Sequence, residues 1–224
     1  MSAPRIEVLP DPAAVAERAA SFVAEQARLA VADHGRFTFA VSGGRTPCAM
    51  FAHLAGQMPW EKVTIYQVDE RVAPDADPDR NLTHLRASLP PGGAADVRAM
   101  PVEAHDLDAA AADYAAVLPA ALDLVHLGLG PDGHTASLVP GDPVLDVRDR
   151  AVAVTGEYQG RRRMTLTYPT LDAARLVLWL VTGDDKVDAL QKLLAGDHTI
   201  PGGRVDAAEA VVIADAAAAP SMAG

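Results

Sequence analysis

The sequence is poor in cysteine, in aromatic residues and in positive charge, and it has no long apolar run. Its single cysteine, Cys48, cannot form an internal disulfide or a multi-cysteine metal site, which excludes disulfide-stapled and zinc-ribbon folds. No stretch approaches the roughly 20 apolar residues that a membrane helix requires. The 19 lysines and arginines stand against 30 acidic residues, a formal net charge of −11, which repels nucleic acid and anionic membranes. We therefore expect neither of them as a partner.

The length of 224 residues suits one domain, because single cores keep growing up to about 250 residues. We predict one domain over residues 1–224, with a frayed end over the Ala/Pro-rich segment 214–224. Residues 1–12 lack the apolar core and small-residue cleavage site of a signal peptide. The expected location is the cytoplasm.

Short apolar runs alternate with amphipathic segments along the chain. Strands are predicted at residues 37–41, 63–68, 122–129, 151–154, 164–167, 176–181 and 210–213. Helices are predicted at residues 12–32, 47–54, 81–89, 107–118, 171–174 (a short turn) and 186–194. The alternation predicts an α/β fold with a mostly parallel sheet and helices on both faces. Because such sheets bind ligands at the carboxyl ends of their strands, a site is expected in the loops that follow strands.

A glycine-rich loop over residues 42–47 follows the first of these apolar strands. Gly43 and Gly44 can leave backbone N–H groups free at a helix N-terminus, where a phosphate or carboxylate would bind. Thr46 can cap the helix, and Arg45 can add a positive charge. An ordinary glycine turn before a capped helix explains the loop about as well. The loop matches neither GxGxxG nor GxxxxGK[ST], so it gives little support to nucleotide binding.

Three adjacent charged residues, Asp69, Glu70 and Arg71, end the next apolar strand. Taken alone, they are slightly better explained as solvent-facing residues before a loop. Arg71 would nevertheless point toward the same sheet edge as the glycine loop, where a guanidinium can orient a carboxylate or steady an oxyanion.

The most specific segment spans residues 128–138, where a strongly apolar strand runs into a turn with three glycines. Asp132 and His134 lie in this turn, and a helix is predicted to follow it. A free histidine has a pKa near ~6.5, which suits proton transfer at neutral pH, and a neighbouring carboxylate can fix its tautomer. Structural roles are predicted for the other histidines, with His126 in the core: His34, His53, His84, His105, His126 and His198.

A fourth loop, residues 182–186, again joins a strand to a helix. Lys186 is one of only three lysines in the chain and stands at the helix start, where its charge opposes the helix dipole. A bound anion would explain it. The four loops carry no serine, cysteine or lysine arrangement that indicates covalent catalysis.

In their order and spacing these four segments, with Asn81, resemble the 6-phosphogluconolactonase family. The resemblance implies a modified Rossmann-like fold and a single sugar-phosphate lactonase domain. It also implies hydrolysis of 6-phosphoglucono-1,5-lactone to 6-phosphogluconate in the oxidative pentose phosphate pathway, with neither nucleotide nor obligatory metal. His134 would be the general base, and Asp132 and Arg71 would help to orient both His134 and the substrate. The residues implied in substrate binding are Gly43, Gly44, Arg45, Thr46, Asp69 and Lys186.

The same resemblance leaves one phosphate contact open. Arg162, beside the predicted strand at 164–167, is a candidate, but the triplet 161–163 does not reveal which arginine would reach the phosphate.

Two other functions remain as alternatives. Glucosamine-6-phosphate deaminases share the glycine loop, the Asp-Glu pair and the Asp-Gly-His turn, but they usually carry an aromatic residue and a glutamate where this sequence has Arg71 and Val139. The deaminase is therefore disfavoured. A catalytically silent sugar-phosphate sensor could also use this fold, although such regulators generally carry a DNA-binding module.

Overall fold

The computed structural model describes residues 4–90 and 96–219. Within these residues the strands are β1 (Arg5–Leu9), β2 (Phe37–Val41), β3 (Val63–Gln67), β4 (Asp69–Arg71), β5 (Asp96–Arg98), β6 (Leu124–Gly128), β7 (Val152–Val154), β8 (Arg163–Leu166), β9 (Val177–Val181) and β10 (Ala210–Asp215). The α-helices are α1 (Pro12–His34), α2 (Arg45–His53), α3 (Asn81–Ser88), α4 (Leu107–Val117), α5 (Tyr168–Asp172) and α6 (Val187–Leu194).

Seven strands form one parallel sheet in the order β1-β10-β9-β6-β2-β3-β5. A second sheet, β4-β8-β7, is antiparallel. The predicted α/β fold with a mostly parallel sheet is confirmed. Because all strands of the large sheet run the same way, the loops after β2, β3, β6 and β9 emerge at one edge, the carboxyl edge of the sheet.

Apolar side chains cover both faces of the large sheet, as its mostly apolar central strands require. Phe37 and Phe39 pack with α1, α2 and α3 on one face. Trp179 and Val181 pack with α4, α5 and α6 on the other. The two apolar layers hold the strands in place, so the loops at the carboxyl edge start from rigid supports.

The first helix has clear boundary signals in the sequence. The Asp11 carboxylate accepts a hydrogen bond from the Ala14 N–H at 2.9 Å, and Pro12 occupies the first turn. Gly35 ends the helix in the left-handed region, with φ of 83°. No helix among residues 4–90 and 96–219 is long and apolar enough to cross a membrane.

Four sequence predictions need correction. Strand β10 continues to the buried Asp215, and Ala218 is also buried, so the predicted frayed end is wrong for residues 214–219, while 220–224 lie outside the described residues. No helix follows His134, because Thr135 and Leu138 form a β-bridge instead. Helix α2 begins at Arg45 after Gly44, so Thr46 lies inside it and does not cap it.

The fourth correction concerns strands absent from the prediction. β1, β4 and β5 are three to five residues long and carry charged residues, so their sequences do not show an apolar run. β1 lies at the edge of the large sheet, where one side of the strand stays exposed.

Candidate active site

The carboxyl edge of the large sheet contains a cavity of about 660 Å³. All four loops singled out in the sequence contribute to its wall. The lining residues are Ser42, Gly43, Gly44, Cys48, Asp69, Arg71, Asn81, His84, Gly128, Leu129, Gly130, Pro131, His134, Ala136, Arg163 and Lys186.

His134 and Asp132 form a hydrogen-bonded pair at this cavity. The His134 Nδ1 lies 2.6 Å from the Asp132 Oδ1, which also accepts the His134 backbone N–H at 3.1 Å. Burial raises the pKa of Asp132, but the hydrogen bonds from His134 outweigh it and leave the pKa below its usual value. An ionised carboxylate only accepts, so the proton of a neutral His134 sits on Nδ1 and the lone pair on Nε2. This is the tautomer that a general base needs.

The turn that carries His134 is fixed by its own backbone. The Gly130 N–H donates to the His134 carbonyl at 2.8 Å, and the Gly133 N–H donates to the Gly130 carbonyl at 2.9 Å. A Cβ on Gly130 would overlap with the ring of His134 and the carboxylate of Asp132, so only glycine fits there. Ala136, two residues after His134, has a φ of 51°, in the left-handed region that non-glycine residues rarely adopt.

Asp69 is a buried carboxylate in the cavity wall, 5% exposed. It accepts hydrogen bonds from the Ser137 hydroxyl at 2.6 Å and from the Asn81 side-chain amide at 3.2 Å. Burial raises its pKa, while the hydrogen bond from Ser137 and the charge of Arg163 act in the opposite direction without cancelling the effect. The Asp69 carboxylate is therefore held by the neutral donors Ser137 and Asn81, in the field of the positive charge of Arg163.

The neighbouring Glu70 is fully buried and has a different task. Its carboxylate accepts hydrogen bonds from the backbone N–H groups of Arg71, Asn81 and Leu82, each at 2.8 Å. Two of these donors belong to the first turn of α3, where a negative charge also matches the helix dipole. Glu70 thus joins β4 to the start of α3 and brings Arg71 and Asn81 together.

Two arginines contribute positive charge to the cavity. The Arg71 guanidinium donates to the Asp79 carbonyl at 2.6 Å and to the Asn81 Oδ1 at 2.9 Å. Arg163 is 5% exposed and donates to the Gln159 Oε1 at 3.1 Å. Burial lowers the pKa of the Arg163 guanidinium, against the opposing effect of Asp69. Among the residues that the structure describes, the buried Arg163 Nε finds no hydrogen-bond partner.

Of the triplet 161–163, only Arg163 lines the cavity. Arg161 forms ion pairs with Asp77 and Asp79 at 3.2 and 3.0 Å, and Arg162 is exposed. The triplet therefore presents Arg163, and not the candidate Arg162, to the cavity.

The glycine loop approaches Asn81 closely. A Cβ on Gly43 would overlap with the Asn81 amide, so a larger residue would displace either the loop or α3. Ser42 fixes the start of the loop: its N–H donates to the His126 Nδ1 at 3.3 Å and its hydroxyl to the His126 carbonyl at 3.2 Å. His126 is buried as predicted, and burial lowers its pKa to about 3. It acts here as a neutral acceptor.

The fourth loop lies against the first. The hydroxyls of Thr182 and Thr46 are 3.2 Å apart. Lys186 lines the cavity just before α6, with its Nζ 2.8 Å from the Asp185 carboxylate. Lys186 and the glycine loop therefore line the same cavity.

The cavity thus brings together most residues singled out in the sequence. His134, Arg71, Asp69, Gly43, Gly44 and Lys186 all line it. Asp132 stands behind His134, and Thr46 lies beside Thr182 without lining the cavity. Arg45 begins α2, and its side chain lies outside the described part of the structure.

Sequence reasoning missed three further lining residues, Arg163, His84 and Cys48. Arg163 carried a signal, because it directly precedes the predicted strand at 164–167. Side chains at alternate positions of a strand point to the same face, so Arg163 and Arg162 are expected to point in opposite directions. His84 was predicted to be structural, yet it lies at the cavity with its Nε2 2.8 Å from the Pro78 carbonyl. Across residues 4–90 and 96–219, no three His, Cys, Asp or Glu side chains are grouped as metal ligands.

Comparisons with known proteins agree with this architecture. The sequence profile of the family described as glucosamine-6-phosphate isomerases/6-phosphogluconolactonase matches residues 10–213. The chain is 36% identical to a 6-phosphogluconolactonase of a Nostoc species, over 85% of either chain. It is 37% identical to a 6-phosphogluconolactonase of a Synechocystis species, over 86% of either chain.

Solved structures show the same fold at lower identity. A 6-phosphogluconolactonase from Shewanella baltica has a TM-score of 0.86 at 24% identity, with 96% of this chain and 99% of that chain covered. A monomeric glucosamine-6-phosphate deaminase has a TM-score of 0.82 at 18% identity, with 96% and 98% covered. The fold is thus common to lactonases and deaminases. On its sequence and its fold, the chain belongs to the glucosamine-6-phosphate isomerase/6-phosphogluconolactonase family.

Proposed function

We propose that this protein hydrolyses 6-phosphoglucono-1,5-lactone to 6-phosphogluconate and that the cavity at the carboxyl edge is its active site. The observation that carries the proposal is the His134–Asp132 pair in a cavity that also holds Arg71, Arg163 and Lys186. The curated relatives named above, at 36% and 37% identity, are 6-phosphogluconolactonases.

The proposed base is the Nε2 of His134, because Asp132 occupies Nδ1. Nε2 removes a proton from water, and the water oxygen attacks the lactone carbonyl to form a tetrahedral oxyanion. When the intermediate collapses, the bond between the carbonyl carbon and the ring oxygen breaks. His134 returns its proton to that ring oxygen, which becomes a hydroxyl, and the new carboxylic acid ionises. Asp132 stabilises the imidazolium between the two proton transfers.

Arg71 and Arg163 are proposed to stabilise the oxyanion. Arg163 is the better enclosed of the two, since it is buried and lies near His134 through their shared neighbour Tyr158. A fixed cation interacts more strongly with the carbonyl oxygen once negative charge develops there. It therefore stabilises the transition state more than it stabilises the bound lactone. Asp69, with its raised pKa, is proposed to contact a hydroxyl of the sugar ring.

The phosphate is proposed to bind between the glycine loop and Lys186. Gly43 and Gly44 precede α2, whose N-terminus offers free N–H groups and the positive end of the helix dipole. Lys186 adds a full charge, and Arg45 and Thr46 stand in the first turn of the same helix. Binding the phosphate away from the carbonyl holds the lactone ring against His134.

The chemistry of one side chain favours a lactonase over a deaminase. Deamination requires proton movement between neighbouring carbons and so a second acid or base beyond the histidine. The position where deaminases usually carry a glutamate holds Val139, which is 5% exposed and cannot transfer protons. Lactone opening needs no such relay.

Two assays on one preparation test the proposal. Acid release from freshly generated 6-phosphoglucono-1,5-lactone, corrected for spontaneous hydrolysis, should be fast. Ammonia release from glucosamine 6-phosphate should not exceed the control without enzyme. Arg71→Ala should slow lactone opening by at least ~10-fold, equivalent to about 1.4 kcal/mol. Ammonia release without lactone opening would favour the deaminase, and lactone binding without turnover would favour the sensor.

A further inference from the structure

A tight hairpin joins β7 to β8 directly beside the cavity. Tyr158 and Arg161 form a β-bridge, with the Tyr158 N–H donating to the Arg161 carbonyl at 3.0 Å and the reverse bond at 3.3 Å. The two turn residues, Gln159 and Gly160, have φ of 54° and 76°. Positive φ at both positions is the mark of a type I′ turn, the sharpest connection between two antiparallel strands. Glutamine rarely adopts this conformation, so the surroundings must hold it there.

The hairpin is fixed to its neighbours at both ends. The Arg161 guanidinium pairs with Asp77 and Asp79, and the Asp79 carbonyl accepts from Arg71. At the other end the Thr155 N–H donates to the Arg163 carbonyl at 2.8 Å. The turn therefore has a defined position relative to the cavity.

Tyr158 contacts the two side chains that the mechanism uses at the carbonyl. Its ring meets the His134 imidazole in an edge-on arrangement, with the ring centroids 5.8 Å apart and the planes at 62°. The Arg163 Cζ lies 5.0 Å from the centroid of the same ring. Both distances fall within the range in which aromatic pairs and cation–π pairs attract.

Gln159 adds a directional contact to the second of these side chains. Its Oε1 accepts from the Arg163 guanidinium at 3.1 Å, whereas the buried Nε of Arg163 has no partner within the described residues. The backbone conformation of Gln159 and the direction of its amide thus decide how the guanidinium is oriented.

We propose that the turn formed by Tyr158, Gln159 and Gly160 is a positioning element of the active site. The Tyr158 ring limits rotation of the His134 imidazole, which Asp132 holds only at Nδ1. The same ring and the Gln159 amide fix the Arg163 guanidinium. This inference rests on the proposed function, since it concerns the orientation of the proposed base and of one proposed oxyanion donor.

The test compares three variants in the lactone assay. Tyr158→Leu keeps an apolar side chain but loses the ring, and kcat should fall about tenfold while KM stays within about threefold, since aromatic contacts of this kind are worth up to about 1.4 kcal/mol. Tyr158→Phe keeps the ring and should retain kcat within about twofold. Gln159→Asn suits the turn conformation but its amide is one carbon shorter, so kcat should fall about threefold with KM unchanged.

The outcomes separate this inference from the proposed function. Wild-type protein without lactone-opening activity would overturn the proposed function and this inference with it. An active wild type with unchanged kcat in Tyr158→Leu and in Gln159→Asn would overturn the positioning role alone. Equal losses in Tyr158→Phe and Tyr158→Leu would also overturn it, because the ring would then not matter. Should Tyr158→Leu fail to fold, the exposed Gln159→Asn decides by itself.

Discussion

The two edges of the large sheet use buried charge in opposite ways. At the amino edge, both oxygens of the buried Asp123 are occupied. Oδ2 accepts the Thr38 N–H and hydroxyl at 2.8 and 2.7 Å, and Oδ1 lies 2.9 Å from the His34 Nε2 and 3.4 Å from the Arg175 Nε. At the carboxyl edge, the buried Asp69 is held by two neutral donors.

The arginines differ in the same sense. At the amino edge Arg175 pairs with Asp123, which also contacts the His34 imidazole, beside a cavity of about 270 Å³. At the carboxyl edge Arg71 and Arg163 line the larger cavity, and the Arg163 Nε has no partner in the described part of the chain. Charge that is fully paired stabilises a fold, whereas charge held in place without a full set of partners is available to a ligand.

The largest expected effect lies at the carboxyl edge. His134→Ala should lower kcat by about 10²- to 10⁴-fold, the usual contribution of a general base, with little loss of stability because the residue lies in a loop. His105→Ala, at an exposed histidine, is the matched control and should leave kcat unchanged. A rate for His134→Ala within a few-fold of the wild type would remove His134 from the role of base. The measurement is steady-state acid release, alongside thermal unfolding.

At the amino edge the same kind of truncation should affect stability instead. Asp123→Ala leaves the buried Thr38 N–H without its acceptor and should lower the free energy of unfolding by about 3 kcal/mol, with kcat of the folded protein unchanged. Urea unfolding measures the first quantity and the lactone assay the second. A large loss of kcat in folded Asp123→Ala would contradict the division between the two edges.

A smaller effect is expected at the phosphate end of the cavity. Lys186→Ala should raise KM for the phosphorylated lactone about tenfold and leave kcat nearly unchanged, because the phosphate is bound alike in ground and transition states. The exposed Lys192→Ala on α6 is the matched control and should leave KM unchanged. If Lys186→Ala weakened phosphorylated and unphosphorylated lactones equally, Lys186 would have a structural role.

The effect that is smallest at neutral pH concerns acid stability. Burial lowers the pKa of His126 to about 3 in the folded protein, while a histidine in the unfolded chain titrates near ~6.5. Between these values only the unfolded state binds the proton, so stability falls as the pH drops from 6.5 toward 3, by up to about 1.4 kcal/mol per pH unit. His126→Leu should show a shallower acid slope in urea unfolding than the wild type or His105→Leu. Equal slopes for all three would show that His126 does not contribute.

These residues also show what the sequence could predict. The run Phe37–Val41 is apolar except for Thr38, and the structure has a strand over the same residues because both faces of the sheet are covered. His134 stood out because glycines surround it at a strand end. Both signals lie within a few neighbouring residues, so they can be recognised in a single sequence.

The missed features depend on specific pairings between residues, some of them in distant segments. β4 consists of Asp69, Glu70 and Arg71, which have little strand preference, and it forms because β8 pairs with it from more than 90 residues away. The role of Glu70 follows from the backbone of α3, and the predicted helix after His134 was wrong because Thr135 donates to the Gly128 carbonyl and bridges to Leu138. No local pattern encodes these pairings.

In the proposed function, the carboxyl edge of the large sheet binds and opens a phosphorylated lactone. The most direct test is the ratio of kcat/KM for 6-phosphoglucono-1,5-lactone to that for unphosphorylated glucono-1,5-lactone, in one acid-release assay corrected for spontaneous hydrolysis. We expect a ratio of at least about 10², because charge-assisted hydrogen bonds from Lys186 and the glycine loop hold the phosphate. A ratio near one, or a wild-type rate no faster than spontaneous hydrolysis, would contradict the proposed function.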